Sequence, residues 1–151
     1  MAIDGKLEQY KENEFPHLAA TGYRITSPAT RAYNCFAWAA GEDDRWWNPL
    51  EPNSPYYWPD GVPAELTIAA FIQAYQTVRF QPCESSDFES GFEKIAIYAT
   101  PDGEPTHAAR QLANGKWTSK LGRWEDIEHE LDGLTSEMYG SVRQVLKRSI
   151  E

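Results

Sequence analysis

The carboxyl-terminal half of the chain alternates in the way that antiparallel strands require. Its first run, residues 93–99, combines a period of two with β-branched side chains, which is typical of a strand. A Pro-Asp-Gly turn at 101–103 separates it from a second run, residues 105–112. Asn114-Gly115 is a strong hairpin signal, and a third run at 116–121 follows it. These segments predict an antiparallel meander.

The amino-terminal half carries helical patterns instead. Apolar residues recur at helical spacing between residues 64 and 77, behind a starting Pro-Ala pair. A shorter helix starts at Cys35 and stops near Gly41. Helices that precede strands, without alternation of the two, are typical of an α+β fold. We therefore predict one domain over residues 1–151, with N-terminal helices packed on an antiparallel sheet.

Three shorter segments complete the secondary-structure prediction. Residues 139–148 are compatible with a strand or a helix, and we favour a strand because Val142 and Val145 prefer sheets. A short strand is predicted at 78–80, and a loop with one helical turn at 124–134.

The loop between the two predicted helices, residues 42–63, has an unusual composition. It holds five prolines and five large aromatic residues. Proline prevents a regular element, and the rings disfavour full exposure to solvent. The loop either folds back and buries its rings over the helix end, or forms the wall or lid of a binding cleft.

The charge balance excludes some classes of partner. The chain has 14 Lys and Arg against 23 Asp and Glu, a formal net charge of −9. Nucleic-acid backbones and anionic membranes need clustered basic residues, so neither is an expected partner. A neutral substrate or a basic protein partner suits this charge better.

The compartment and cofactors are predicted from absences in the sequence. No apolar run is long enough to span a bilayer, and the first eight residues lack the basic and apolar regions of a secretory signal. We expect a cytoplasmic protein in which Cys35 and Cys83 are reduced thiols. The scattered His17, His107 and His129 give no metal-ligand spacing, so neither a metal nor a cofactor is predicted.

Cys35 is the candidate nucleophile. It follows Asn34 at the predicted start of a helix, where unpaired backbone N–H groups favour an anion such as a thiolate. A Cys nucleophile needs a base, and His107 on the second predicted strand could contact a helix packed across the sheet. The alternative is that Cys35 is a small buried apolar residue and His107 is structural.

A third group must orient the imidazole. Ser119 lies on the next predicted strand, and Asp126 and His129 follow a few residues later. All three are candidates. The backbone N–H of Cys35 and a side chain just upstream could hold a substrate oxyanion.

Three motifs carry a resemblance to a known family. They are NCFAWAAG at 34–41, THAARQL at 106–112 and WTSKLG at 117–122, followed by Ile127 and His129. In these motifs the chain resembles a bacterial family defined by a domain of unknown function, the DUF7689 type, over nearly its whole length. The layout is also similar to papain-like hydrolases of the NlpC/P60, CHAP and transglutaminase-like kinds.

The papain-like resemblance implies a topology and a set of roles. Cys35 would be the nucleophile and His107 the base, while the third position departs from the usual His, Asn or Asp and offers Ser119 or His129. The residues expected to bind substrate are Asn34, Trp38, Trp46, Trp47 and Trp58.

Two functions follow from these observations. The first is a cysteine hydrolase or acyltransferase that cleaves an amide or thioester bond in a peptide or other amide-containing substrate. The second is a non-catalytic immunity or regulatory protein that uses the same fold to bind a basic partner.

Overall fold

One antiparallel sheet organises the structure, a computed structural model that describes residues 5–49 and 56–150. Its strand order is β1-β6-β5-β4-β3-β7-β2. The strands are β1 (Tyr23–Ser27), β2 (Gln81–Cys83), β3 (Phe92–Ala99), β4 (Pro105–Gln111), β5 (Trp117–Lys120), β6 (Asp126–His129) and β7 (Ser141–Ser149). The helices are α1 (Gln9–Glu12), α2 (Leu18–Thr21), α3 (Cys35–Ala39), α4 (Ile68–Gln76) and a 3₁₀ turn at Leu131–Leu134.

Both faces of the sheet are covered. Ile95 and Ile97 of β3 belong to a hydrophobic cluster that includes α3 and α4. Ala96 and Tyr98, which point the other way, belong to a second cluster with α2 and the residues around α1. The strand β3 is therefore buried on both sides, which explains its nearly continuous apolar sequence.

The predicted mixed fold with an antiparallel sheet is confirmed, although the chain is mostly strand and its helices are short. The three meander strands occur as β3, β4 and β5, and the predicted strand at 139–148 occurs as β7. The sequence predicts these strands because short runs rich in β-branched and aromatic residues are bounded by turn residues, although β3 and β5 bury side chains on both faces.

Two boundaries differ from the sequence prediction because of local backbone chemistry. The helix predicted from residue 64 begins at Ile68, since Thr67 is extended and its hydroxyl accepts from the Ala70 N–H as an N-cap. The strand predicted at 78–80 is a turn in which Arg79 has a φ of 79°, and β2 begins afterwards at Gln81.

The segment predicted as a loop with a helical turn contains a strand, β6, before the 3₁₀ turn. Ile127 packs in the second cluster, opposite Ile25 of β1 and Ser119 of β5. The neighbouring Asp126 and Glu128 point to the other face. Their charges disguise the period of two, so the sequence alone suggested solvent exposure.

The described part of the aromatic loop packs on the core. Trp47 and Trp58 are buried, and Trp47 stacks on Tyr75 of α4 with ring centroids 5.4 Å apart. Paired backbone hydrogen bonds join Tyr57 to Trp46 and Asn48.

Residues 50–55 of this loop, and the first four residues of the chain, lie outside the described residues. Within the described ranges no helix is long and apolar enough to cross a membrane.

Gly140, just before β7, lies very close to the backbone of Ala99. Its φ is +73°, and an added Cβ would lie 2.0 Å from the carbonyl oxygen of Ala99. We expect Gly140→Ala to lower the free energy of unfolding, measured by urea denaturation, by about 3 kcal/mol. The alanine would be strained at this positive φ, and its Cβ would overlap the Ala99 carbonyl oxygen. Gly103→Ala is the matched control, since Gly103 also has positive φ (+89°) but no atom within 4 Å of the added Cβ. Equal losses in the two variants would contradict the close approach at Ala99.

Candidate functional site

Asn34 fixes the start of α3 and so the position of Cys35. Its backbone is extended, and its side-chain oxygen accepts hydrogen bonds from the N–H groups of Ala37 and Trp47, both at 3.1 Å. The Asn34 amide also donates to the Trp47 carbonyl at 2.9 Å. Asn34 is buried, so these bonds tie the helix start to the aromatic loop. Cys35 is the first residue of the helix.

The thiol of Cys35 is buried, with 7% of the residue exposed. Burial raises the pKa of Cys35 to about 12, while the nearby backbone N–H groups of Ala108, Phe36 and Cys35 itself and the Lys120 ammonium act in the opposite direction. At neutral pH this group is therefore a thiol. The Cys35 thiol lies near the backbone N–H of Ala108 and therefore beside β4. Ala108 directly follows His107 in the chain.

His107, Ser119 and His129 form one chain of hydrogen bonds across three neighbouring strands. His107 Nε2 lies 2.9 Å from Ser119 Oγ, and Ser119 Oγ lies 2.7 Å from His129 Nε2. His129 Nδ1 lies 2.7 Å from the carbonyl oxygen of Glu130. The three side chains are fully or almost fully buried, so no bulk water competes for these bonds.

The chemistry of these groups fixes where the protons lie. A carbonyl oxygen only accepts, so Nδ1 of His129 carries the proton. Burial lowers the pKa of His129 to about 4, so this ring is neutral at pH 7 and its Nε2 accepts from the Ser119 hydroxyl. The Ser119 oxygen then accepts from Nε2–H of His107. Nδ1 of His107 is left with a lone pair.

This Nδ1 is buried and has no hydrogen-bond partner among the described residues. The ring stacks on Tyr139, with centroids 4.1 Å apart and planes 9° apart, and contacts the edge of Tyr98. Burial, together with His129, lowers the pKa of His107 well below its usual value. His107 is therefore a neutral imidazole with one free acceptor.

The structure brings three of the four predicted catalytic residues into direct contact and leaves Cys35 outside their hydrogen bonds. The helix α3 packs on the sheet face that carries Ala108, whereas the His107 ring packs with Tyr98 and Tyr139 in the second cluster. No described hydrogen bond joins the Cys35 sulfur to His107 Nδ1. The thiol lies near Ala108 of β4, and the imidazole belongs to the preceding residue of that strand, His107.

Asp126, the other candidate partner, belongs to a different group. It accepts a hydrogen bond of 2.6 Å from the Tyr33 hydroxyl and attracts the Lys120 ammonium, on the α3 side of the sheet. Its second oxygen is buried without a hydrogen-bond partner in the described chain. Burial raises the pKa of Asp126. Asp126 therefore orients neither His107 nor His129.

The predicted tryptophans have different surroundings. Trp38 is half-buried, stacks on Tyr33 and donates to the Thr118 hydroxyl at 3.1 Å. Trp47 and Trp58 are core residues, as described above. Trp46 lines a cavity of about 400 Å³.

Sequence reasoning missed Tyr139 and the Glu130 carbonyl. Tyr139 reaches His107 from a segment more than thirty positions along the chain, and no local pattern signals that contact. The Glu130 carbonyl acts through the backbone, so its side-chain type carried no information.

The buried histidines predict a pH dependence of stability. Their pKa values are lower in the folded state than the unfolded value of about 6.5, so the unfolded chain binds protons that the folded chain excludes. The stabilisation is complete above pH 6.5 and is lost as the pH falls toward about 4 for His129. We expect His129→Gln to reduce the slope of unfolding free energy against pH, between 5.5 and 4.5, by about 1.4 kcal/mol per unit.

Urea denaturation at several pH values measures this slope. His17→Gln, at an exposed position, is the matched control and should leave it unchanged. A slope in His129→Gln equal to that of the parent would contradict a neutral buried His129.

Comparison with known proteins places this arrangement in a family. A family model described as a domain of unknown function (DUF7689) matches residues 24–147, about four fifths of the chain. The match includes every residue of the hydrogen-bond chain and Cys35. Searches of curated proteins and of solved structures gave no significant match. The chain therefore belongs to the DUF7689 family.

Proposed function

We propose that this protein is a papain-like cysteine hydrolase or acyltransferase in which Cys35 attacks an amide or thioester carbonyl and His107 accepts the thiol proton. The observation that carries the proposal is the lone pair on His107 Nδ1, buried and without a partner in the described chain. Leaving a buried acceptor unsatisfied costs about 1–3 kcal/mol, and such groups are rare in native structures. A proton-accepting role accounts for that cost.

The Ser119–His129 pair supports this role by holding the ring in one tautomer. Because Ser119 accepts from Nε2–H, Nδ1 cannot carry the proton while the ring is neutral. Ser119 brings no charge, unlike the aspartate of a Ser-His-Asp triad. Its oxygen is polarised by donation to His129, whose own proton is donated to the Glu130 carbonyl. The chain of hydrogen bonds thus takes the place of a charged third member.

The raised pKa of Cys35 selects the form of the reaction. A resting thiol with a pKa of about 12 is not ionised in advance, so sulfur attack must be coupled to proton transfer to His107 Nδ1. The sulfur then forms a bond to the carbonyl carbon, and the carbonyl oxygen takes the electron pair. The carbonyl then re-forms as the bond from its carbon to the leaving nitrogen or sulfur breaks, and the leaving atom takes the proton from Nδ1. Water or a second acceptor gives a proton to Nδ1 as it attacks the acyl carbon, the carbon–sulfur bond breaks, and Cys35 recovers this proton as a thiol.

The described pairing of β4 with β5 ends short of the residues beside Cys35. The strands β4 and β5 pair at Arg110–Thr118 and Gln111–Trp117, and the described pairing stops before Ala108. The Cys35 sulfur lies near the Ala108 N–H, where β4 has no partner on that side in the described register. Because α3 and the His107 ring lie on opposite faces of the sheet, the proposed attack requires the Cys35 side chain to turn past this unpaired part of β4 toward Nδ1.

The papain-like layout is part of the same proposal. Its support is the order of the elements: a thiol at the start of α3, an imidazole on β4, and on β5 a polar residue bonded to that imidazole. The same order predicted the roles from the sequence. A shared fold does not establish an activity, and the hydrogen bonds of His107 are the stronger support.

A second candidate is a non-catalytic interaction protein of the immunity or regulatory kind. The burial of both groups favours it, because Cys35 is 7% exposed and His107 is 0% exposed. In that case the histidine–serine chain only specifies the packing between the sheet and the second cluster. The two candidates differ in the reactivity of the thiol.

Alkylation of Cys35 distinguishes them. We expect iodoacetamide to modify Cys35 at pH 7 faster than a buried thiol with a pKa of about 12 allows, because His107 removes the proton during attack. His107→Ala should slow this modification about 100-fold because it removes the base. Ser119→Ala should slow it about tenfold, because the base remains but its proton is no longer held on Nε2. Peptide mapping by mass spectrometry gives the rates at Cys35 and at Cys83, which is the internal reference thiol.

His17→Ala is the matched control for loss of a histidine, and circular dichroism verifies that each variant is folded. The hydrolase proposal fails if the ratio of Cys35 to Cys83 rates is unchanged in folded His107→Ala. It also fails if Cys35 in Ser119→Ala is alkylated as fast as in the parent, because the Nε2–H tautomer of His107 would then have no role.

A further inference from the structure

One cavity is lined by more basic than acidic residues, unlike the protein as a whole. It has a volume of about 400 Å³ and is lined by Arg31, Ala32, Asp44, Arg45, Trp46, Tyr56 and Arg123. The charged residues of this lining are three arginines and one aspartate. The whole chain, by contrast, has 14 basic and 23 acidic residues. A local excess of arginine in an acidic protein attracts an anionic ligand.

Two of these arginines are available to a ligand. Arg45 is already paired with Glu42 through two hydrogen bonds of 2.7 and 3.0 Å. Arg31 and Arg123 are exposed, and within residues 5–49 and 56–150 their guanidinium groups form no ion pair or hydrogen bond. A guanidinium binds a carboxylate or a phosphate through two parallel N–H donors.

The cavity also offers apolar contact. The rings of Trp46 and Tyr56 lie 5.9 Å apart and are tilted by 44°. The indole N–H of Trp46 is held by the backbone carbonyl of Arg31 at 2.7 Å, which fixes the ring against the arginine segment. A ligand with an acidic group attached to an apolar body matches such a lining.

Short stretches of chain connect the residues that line the cavity to elements of the proposed site. Arg31 precedes Cys35 by four positions, and the Asn34 cap bonds both the N–H and the carbonyl of Trp47, next to Trp46. The loop carrying Arg123 follows β5, where the Lys120 ammonium donates to the carbonyls of Gly122 and Trp124. Both cavity walls are therefore anchored to elements of the proposed site.

We propose that this cavity binds the carboxylate of the substrate, so that the enzyme acts on a peptide or acyl compound with an acidic group near the scissile bond. The assignment of this ligand as substrate rests on the proposed hydrolase function, while the binding itself does not. Arg31 and Arg123 hold the carboxylate, and Trp46 and Tyr56 contact the adjoining apolar group. The acidic surface elsewhere then directs such ligands to this cavity.

Nuclear magnetic resonance titration of Cys35→Ala tests this proposal without any reaction at the thiol. The probes are N-acetylphenylalanine, which carries a carboxylate, and its neutral amide. We expect the acid to bind at least tenfold more tightly than the amide and to shift the Trp46 indole signal. The double variant Arg31→Gln, Arg123→Gln should lose at least fivefold in affinity for the acid and none for the amide.

Arg79→Gln is the matched control, since Arg79 is exposed and is not among the residues lining this cavity. Equal binding of acid and amide, or unchanged affinity in the double variant, would overturn the proposal. Binding of inorganic phosphate without binding of the acid would also overturn it. If the acid binds as expected but alkylation of Cys35 is independent of His107, the anion site stands and the hydrolase function falls.

Discussion

The hydrogen-bond chain from the Glu130 carbonyl to His107 is the interaction on which the rest of the site depends. It crosses β6, β5 and β4, so it forms only when the antiparallel register brings His129, Ser119 and His107 to the same face. A shift of one residue in any of these strands would turn a member to the opposite face. The register of the sheet therefore determines the protonation pattern of the histidine.

Burial gives this site its electrostatic character. It raises the pKa of the thiol and lowers the pKa values of both imidazoles, so these three groups are neutral at rest. A neutral pair needs no compensating charge in a region of low dielectric, which avoids the desolvation cost of an ion pair. Under the proposed function, the same neutrality requires that attack by the thiol be coupled to proton transfer. Asp126 and Lys120, the nearby charged groups, lie on the α3 side and interact with each other.

The sequence predicted much of this arrangement because local patterns encode it. Alternation located β4 and β5, and the small and aromatic residues after Asn34 located α3. The members of the hydrogen-bond chain were named as candidates from their order along the chain. The strand β6 was missed because Asp126 and Glu128 hid its period of two. The stacking of Tyr139 on His107, and the free Nδ1, depend on long-range packing that no local pattern contains.

The protonation state of His107 is the most direct test of its proposed role as the base. Nitrogen-15 spectra of the histidine side chains at pH 7 distinguish the two neutral tautomers from the imidazolium. We expect His107 to be neutral, with its proton on Nε2 and a bare Nδ1, and Ser119→Ala to weaken this preference for the Nε2–H tautomer. A proton on Nδ1, or a charged ring at pH 7, would contradict it.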